Sequence, residues 1–179
     1  DWKFYLSDVE NAQSIDFNDN DWRKLDIPHD WAIELGFDKD LPANTGKLPW
    51  QGVAWYRKHF EINQQDTGKR IYFLFDGIMA FPEVYINGNL AGKWDYGYNS
   101  FYIDVTDFVN YESENIIAIK VDTRQHDSRW YPGAGIYRKI QMITVSPIHI
   151  AMWGTYIQTP AINEDSALVH VYTTIYNQT

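Results

Sequence analysis

The chain has 179 residues, of which 45% are hydrophobic and 22% are charged, proportions that are ordinary for a soluble globular protein with one sizeable core. Its formal charge of -9 repels phosphate backbones, so nucleic acid is not an expected partner. The absence of cysteine excludes disulfides and thiolate chemistry, and the lack of an apolar run of about 18 residues argues against a membrane-spanning helix.

Segments rich in β-branched and aromatic residues recur along the chain, and turn-forming residues separate them. An early stretch, residues 16–35, is compatible with a short helical turn. The predicted strands, in chain order, are residues 53–62, 70–75, 84–86, 115–121, 136–145, 148–153 and 168–176. The third of these runs into Asn87-Gly88, the favoured pair for a type I′ hairpin turn.

No segment keeps a 3.6-residue apolar period over three turns, so an all-β fold, an antiparallel β-sandwich, is predicted. The residues after Trp153 hold about two strands, which cannot bury a core of their own. We therefore predict one domain at residues 1–153 and the first strands of a truncated second domain at residues 154–179. The alternative is that these last strands pair into the main sandwich.

Aromatic residues make up 17% of the chain, and most of them are expected to fill the core. Rings in loops are the expected exceptions. Because sugars present faces of C–H groups that stack on flat rings, exposed aromatics suit a carbohydrate site. The loop aromatics are Trp50, Trp94, Tyr96, Tyr98, Trp130 and Tyr131.

The most unusual loop brings together an acid, a guanidinium, an indole and a phenol within five residues. These groups belong to Asp127, Arg129, Trp130 and Tyr131. A loop with this much side-chain chemistry is a candidate binding loop. The alternative is a structural corner, in which Trp130 plugs the end of the sandwich and Arg129 pairs with a local acid.

Other kinds of site are not supported by the sequence. The Gly-Ala-Gly at residues 133–135 precedes a strand rather than a helix, so it is not a dinucleotide fingerprint. The five histidines lack metal-ligand spacing, and neither a metal nor a cofactor is expected. The acidic residues stand in polar, turn-like stretches, so no catalytic carboxylate pair is nominated and no catalytic residue is expected in this chain.

Four ordered segments carry a family pattern. They are WRKLDIPHDW at residues 22–31, GVAWYRK at 52–58, YINGNLAG at 85–92 with YNSF and IDVT after it, and RWYPGAGIYR at 129–138. Together they resemble the N-terminal domain of family 2 glycoside hydrolases of the β-galactosidase type. The tail, from the Trp-Gly-Thr at residues 153–155 onward, resembles the start of that family's immunoglobulin-like second domain.

The resemblance implies a jelly-roll sandwich of the galactose-binding type, followed by an immunoglobulin-like domain and a TIM barrel. The barrel carries the acid/base and nucleophile carboxyls of a retaining mechanism. On this reading the parent protein is a glycosidase, and the chain alone is not an enzyme. The immunoglobulin-like and barrel domains are its expected partners, and a homo-oligomer of the parent is left open.

The resemblance also implies that the jelly roll lends polar residues to the sugar subsite. Asp127 is the nearest match to the family's acid before the Gly-Ile-Tyr-Arg element, but the spacing here is longer, so Arg129 or Trp130 is an alternative. Tyr131 belongs to the same loop. Trp50 and Gln51 match the position of a second contact, before the Trp-Tyr-Arg strand.

The sequence therefore predicts a non-catalytic domain of a β-galactosidase-like enzyme that contacts a β-galactoside-like carbohydrate. The alternatives are an autonomous carbohydrate-binding module and a purely structural interface domain. Galactoside, glucuronide and mannoside substrates are not distinguished. The compartment is left open, with the periplasm or the cell exterior favoured for a parent that degrades polysaccharides.

Overall fold

The computed structural model describes residues 1–126 and 128–179, and this part of the chain is built from eleven β-strands and one α-helix of five residues. The strands are β1 (Trp2–Tyr5), β2 (Arg23–Leu25), β3 (Val53–Phe60), β4 (Arg70–Phe75), β5 (Glu83–Ile86), β6 (Asn89–Lys93), β7 (Phe101–Asp104), β8 (Asn115–Asp122), β9 (Ile140–Val145), β10 (Ile148–Ile162) and β11 (Ala167–Asn177). The helix is α1 (Trp31–Leu35), and short 3-10 turns lie at Ala43–Thr45, Gln64–Asp66 and Thr106–Phe108.

Two sheets form the body of the molecule. One has six strands in the order β2-β1-β3-β8-β5-β6, and the other has three in the order β7-β4-β9. The recorded strand pairs are antiparallel, and the longest central pair, β3 with β8, runs in register from Val53 opposite Asp122 to Phe60 opposite Asn115. The predicted antiparallel β-sandwich is confirmed.

The core lies between the two sheets because alternate side chains of each strand face inward. In β3, Tyr56 faces the core and is fully buried, whereas its neighbours Trp55 and Arg57 point to the opposite face. The other inward-facing strand residues are also aliphatic or aromatic, and they include Ile71, Phe73, Phe75, Val84, Ile86, Ile117, Ile119 and Val121.

The outer face of the six-stranded sheet is covered by the segment at residues 6–22. Ala12 and Trp22 of this segment pack on Trp55 and Ala118 in a second, smaller apolar cluster. This cover explains why β3 is buried on both faces from Val53 to Arg57.

Most of the predicted strands are confirmed, with shifted ends. Asn87 and Gly88 form the predicted two-residue turn between β5 and β6, with positive φ at both residues, 49° and 84°. The predicted helical turn is α1. One strand is shorter than predicted, since β9 begins at Ile140 rather than at Ile136. The Ile136 carbonyl accepts a hydrogen bond from the His29 N–H, and the Lys139 carbonyl accepts one from the Asp76 N–H. Residues 136–139 therefore bond to loops rather than to a neighbouring strand.

The last two strands pair with each other as a long hairpin, in a sheet distinct from the two sheets of the sandwich. Strand β10 runs through the predicted boundary at residue 153, with an irregularity in its pairing between Ile150 and Thr155. At this point Trp153 has a positive φ of 54° and its ring packs on Tyr102 of the sandwich. The division into two domains stays a prediction. Among the described residues, no helix has the length and apolar character needed to cross a membrane.

Candidate functional site

A single carboxylate, that of Asp30, joins two of the sequence motifs. Its Oδ1 caps α1 by accepting bonds from the backbone N–H of Ala32 and Ile33, at 3.0 and 3.4 Å. Its Oδ2 accepts bonds from the Tyr131 hydroxyl at 2.6 Å and from the Ala134 backbone N–H at 3.2 Å. The helix start and the candidate loop are therefore held by the same side chain.

Backbone bonds add to this connection. The N–H of Trp31 donates to the carbonyl of Ala134 at 3.0 Å, and the N–H of His29 donates to that of Ile136 at 2.8 Å. Gly135 and Met79 exchange bonds of 2.7 and 3.0 Å. Gly135 has a φ of 125°, and a Cβ there would come within 2.7 Å of the His29 carbonyl, so only glycine fits. Residues 131–136 form a rigid base.

The hydroxyl of Tyr131 is part of this hydrogen-bonded structure, because it donates to the Asp30 carboxylate. The side chain is half-buried, and its burial, together with the bond to Asp30, raises the pKa of the Tyr131 phenol. The phenol therefore stays neutral and donates a hydrogen bond to the Asp30 carboxylate. Tyr131 is thus a predicted site residue whose polar group has a structural partner.

A charged network supports the helix from beneath. The buried His29 ring places Nδ1 2.7 Å from the Tyr56 hydroxyl and Nε2 3.1 Å from Glu34. Arg23 donates two bonds to Glu34, at 2.6 and 2.7 Å, and chiefly these lower the pKa of the Glu34 carboxyl to about 2. This carboxylate is an ionised structural partner rather than a proton donor.

The tip of the loop, in contrast, faces solvent. Arg129 is exposed and makes no ion pair with any described residue, and the Trp130 residue is 72% exposed. Ser128 holds the turn by accepting the Trp130 N–H at 3.2 Å. The alternative that Trp130 plugs the end of the sandwich is therefore wrong. Asp127 lies outside the described residues.

The two residues predicted for the second sugar contact, Trp50 and Gln51, differ in burial. Trp50 was expected among the exposed loop rings, and this expectation is wrong: the side chain is 5% exposed and belongs to the core cluster. Its ring packs edge-on against His126, and its carbonyl accepts a 2.7 Å bond from the Thr123 hydroxyl. Gln51, beside it, is exposed.

These bonds bring the two predicted loops to the same end of the sandwich. The Thr123 hydroxyl accepts the backbone N–H of Gly52 at 2.9 Å, and the Thr123 N–H donates back to the Gly52 carbonyl at 2.9 Å. The chain leaving β8 is thus fastened to the chain entering β3. Gln51 therefore lies at the end of the sandwich where the chain leaves β8 and runs toward the Arg129 loop.

Two features of this end were not predicted from the sequence. Asp30 is the first, although an aspartate just before a helical turn is a usual N-cap signal. The second is the contact of the Tyr98 hydroxyl with the Pro132 carbonyl, at 3.4 Å, which sets another aromatic loop beside the candidate loop. That contact joins distant parts of the chain and leaves no local signal.

The described residues contain no group of three His, Cys, Asp or Glu side chains that is arranged to hold a metal ion. The carboxylates with lowered pKa values have fixed cationic partners, as in the 2.5 Å pair of Asp104 with Arg70. What the exposed tip offers is a planar guanidinium with five donors and an accessible indole face. These two groups have the chemistry needed to bind and orient a polar ligand.

Residues 14–133 match the glycosyl hydrolase 2 galactose-binding domain-like family. Among curated relatives, beta-galactosidase BoGH2A of Bacteroides ovatus is 44% identical over 181 residues, covering 99% of this chain and 21% of the relative. A putative beta-glucuronidase of Formosa agariphila is 35% identical over 172 residues, covering 95% of this chain and 16% of the relative.

Solved structures give the same relationship. The crystal structure of a beta-glycosidase from Bacteroides vulgatus aligns with a TM-score of 0.93 and 38% identity, covering 99% of this chain and 24% of the other. A beta-glucuronidase from glycoside hydrolase family 2 aligns with a TM-score of 0.91 and 33% identity. The chain spans about a fifth of the length of the curated relatives described above.

Proposed function

Since this chain belongs to the galactose-binding-like domains of family 2 glycoside hydrolases, we propose that it is a non-catalytic part of a retaining β-glycosidase. In this proposal the domain packs on the catalytic barrel of the parent protein, and the tip of its 128–131 loop contributes to the sugar subsite. The barrel supplies the two carboxyl groups that form and hydrolyse the glycosyl-enzyme intermediate.

One observation carries this proposal: an exposed guanidinium and an exposed indole stand on a rigid, buried base. Arg129 and Trp130 face solvent, while the next residues are fastened to Asp30 and Met79. A loop whose base is fixed by hydrogen bonds and whose tip is exposed to solvent is suited to present side chains to a ligand or to another domain.

The proposed role is positioning. The Arg129 fork donates several hydrogen bonds to sugar hydroxyls or holds a barrel carboxylate, and the Trp130 face stacks on the C–H face of the ring. These contacts break no bond, but they hold the glycosidic bond near the catalytic carboxyls. A misplacement of about 1 Å can cost about a hundredfold in rate.

The proposed substrate is a β-galactoside, supported by the relative of 44% identity that is named a beta-galactosidase. The exposed Arg129 side chain also favours a second candidate, a β-glucuronide, because a guanidinium binds a carboxylate through two parallel hydrogen bonds. A relative of 34% identity is named a beta-glucuronidase. Steady-state kinetics on an aryl β-galactoside and an aryl β-glucuronide, measured with one enzyme preparation, distinguish the two candidates.

The test is Arg129→Ala in the full-length parent enzyme. We expect kcat/KM to fall roughly ten- to a thousandfold, or about 1.4–4 kcal/mol, with an unchanged melting temperature, because the side chain makes no ion pair with the described part of the fold. Lys69→Ala removes an exposed cation from a distant turn and serves as the control. A lower melting temperature with unchanged kcat/KM would mean that the loop is a structural corner.

The isolated chain tests the remaining alternatives. Millimolar or tighter binding of galactose or galactobiose by the 179-residue chain, measured by calorimetry, would favour an autonomous carbohydrate-binding module. Absence of binding together with wild-type kinetics of the Arg129→Ala enzyme would favour a purely structural interface domain.

A further inference from the structure

A pair of exposed rings lies beside the candidate loop. Tyr96 and Tyr98 are 59% and 44% exposed, and their ring centroids are 5.7 Å apart. They stand on the turn between β6 and β7, a different part of the chain from the Arg129 loop. We name this pair the tyrosine platform.

The backbone beneath the tyrosine platform is held firmly. Gly97, between the two tyrosines, is buried, and a Cβ there would come within 3.0 Å of the Ile78 carbonyl and 2.8 Å of the Met79 methyl carbon. The Tyr137 hydroxyl donates to the Gly97 carbonyl at 2.7 Å. The two rings are therefore exposed on a fixed turn, and little conformational entropy is lost when a ligand covers them.

The other end of the turn is held as well. The Trp94 indole N–H donates to the Asn99 side chain at 3.0 Å, and its ring stacks on the buried Phe101 at 5.2 Å. Trp94 thus anchors the turn to the core. The Tyr96 and Tyr98 rings remain largely exposed and are available for contacts outside the chain.

The tyrosine platform is close to the proposed sugar subsite. The Tyr98 hydroxyl donates to the Pro132 carbonyl at 3.4 Å. Pro132 is two residues after Trp130, and two trans peptide links set an upper limit of about 7.6 Å between their Cα atoms. A chain of linked pyranose rings that begins at Trp130 can therefore reach the platform.

From this arrangement we propose that Tyr96 and Tyr98 bind a further glycosyl unit of the substrate, so that the parent enzyme acts on β-linked oligosaccharides. This inference rests on the proposed function of the Arg129 loop. A pyranose has an apolar C–H face and a rim of hydroxyls, and a tyrosine offers the matching apolar ring and polar tip. The exposed Asp95 carboxylate adds an acceptor for sugar hydroxyls.

The other occupant that such rings fit is a protein surface of the parent enzyme. The two occupants make different demands on the enzyme. A glycosyl unit is present only in long substrates, whereas a protein contact is present whatever the substrate, and its loss lowers stability.

The experiment compares two substrates in the full-length parent enzyme, 4-nitrophenyl β-galactoside and β-1,4-linked galactotetraose. For Tyr96→Ala/Tyr98→Ala we expect kcat/KM on the tetrasaccharide to fall about five- to thirtyfold, chiefly through KM, and to change less than about twofold on the aryl glycoside. Tyr96→Phe/Tyr98→Phe keeps both rings and is expected to keep most of the tetrasaccharide activity.

Equal losses on the two substrates, no loss on either, or a fall in melting temperature without a change in the ratio of the two activities would overturn the inference. Should the double alanine variant fail to fold, Tyr96→Ala alone is tested by the same ratio. Arg129→Ala lowers both activities if the proposed function holds. Failure of the loop proposal therefore gives a different result from failure of the platform proposal.

Discussion

Arg57 lies on the outer face of the central strand β3 and is nevertheless fully buried, because the 6–22 segment folds over it. Its Nε donates to Asp19 at 2.9 Å, and Nη1 donates to the carbonyls of Ala12 and Ser14. His59 adds a contact of 3.3 Å to the same carboxylate. One buried guanidinium thus fastens the whole covering segment.

Asp19→Asn is expected to destabilise the fold by about 3–5 kcal/mol at pH 7, because it leaves the buried Arg57 charge uncompensated. Burial works to raise the pKa of the Asp19 carboxyl, but the bonds from Arg57 and His59 outweigh it and hold the pKa below its usual value of 3.8. A lowered pKa stabilises the fold at higher pH, and this contribution is lost as the pH falls through the folded-state pKa.

The difference between wild type and variant should therefore shrink as the pH falls from 4 toward 2. Urea unfolding across this range measures it. Asp21→Asn, at an exposed acid two residues away, is the control and should change little at any pH. A difference that is constant with pH would show that the ion pair contributes nothing through the Asp19 charge.

At the residue scale, the sequence predicted exposure correctly for some loop residues and wrongly for others. Arg129 and Trp130 are exposed as a binding loop requires, but Trp50, also in a loop, is buried. Loop position favours exposure, yet the bond from Thr123 to the Trp50 carbonyl turns this loop inward. Thr123 is 73 residues away in the chain, and such a partner has no signature near Trp50.

At the scale of elements, the hairpin of β5 and β6 shows how a turn is tied to the sheet. The Asn87 side-chain amide donates to the Phe108 carbonyl at 2.9 Å and to Asn115 at 2.8 Å, while its oxygen accepts the Ile116 N–H at 2.9 Å. Asn87 therefore fixes the start of β8 as well as the turn. Gly88 completes the turn with a φ of 84°.

Gly88→Ala is expected to lower the free energy of unfolding by about 1–2 kcal/mol, and Gly88→Val by more, because a β-branched residue resists positive φ. The cause is backbone strain, since a Cβ at Gly88 meets no atom closer than 3.7 Å. Gly52→Ala, at a glycine without positive φ, is the matched control and should be nearly neutral. Equal melting temperatures for the Gly88 and Gly52 variants would contradict the strain argument.

Strand prediction succeeded where burial on both faces produced apolar runs, as in β4 and β8, and where aromatic and β-branched residues were frequent, as in β3. The short strands β1, β2, β6 and β7 were not predicted as strands, since three to five residues carry too little pattern to distinguish a strand from a loop. The stretch 136–139 was predicted as strand from its composition, but its backbone bonds go to other loops.

At the scale of the whole molecule, the order of the four motifs predicted the family, and the match over residues 14–133 confirms it. The motifs did not predict how their segments meet. The PHDW and RWYPGAGIYR segments are about a hundred residues apart and share the Asp30 carboxylate. Such a meeting depends on the fold as a whole, so the base of the site was not accessible from local patterns.

The hairpin of β10 and β11 presents apolar side chains on both faces. Val169, Val171 and Ile175 alternate with Leu168, Tyr172 and Tyr176, and all six are exposed. A two-stranded ribbon whose two faces are largely exposed is marginal in water. We propose that it opens a second domain, whose further strands cover these faces in the parent protein.

Hydrogen exchange tests this division. In the 179-residue chain, amides of residues 155–173 should exchange at least about a hundredfold faster than those of β3 and β8, because opening the ribbon exposes no core. In the full-length parent the ribbon amides should gain protection, because further strands bury them, while the amides of β3 and β8 serve as the internal control and change little. Ribbon protection equal to that of β3 in the short chain would show instead that the ribbon unfolds only with the sandwich, as part of a single domain.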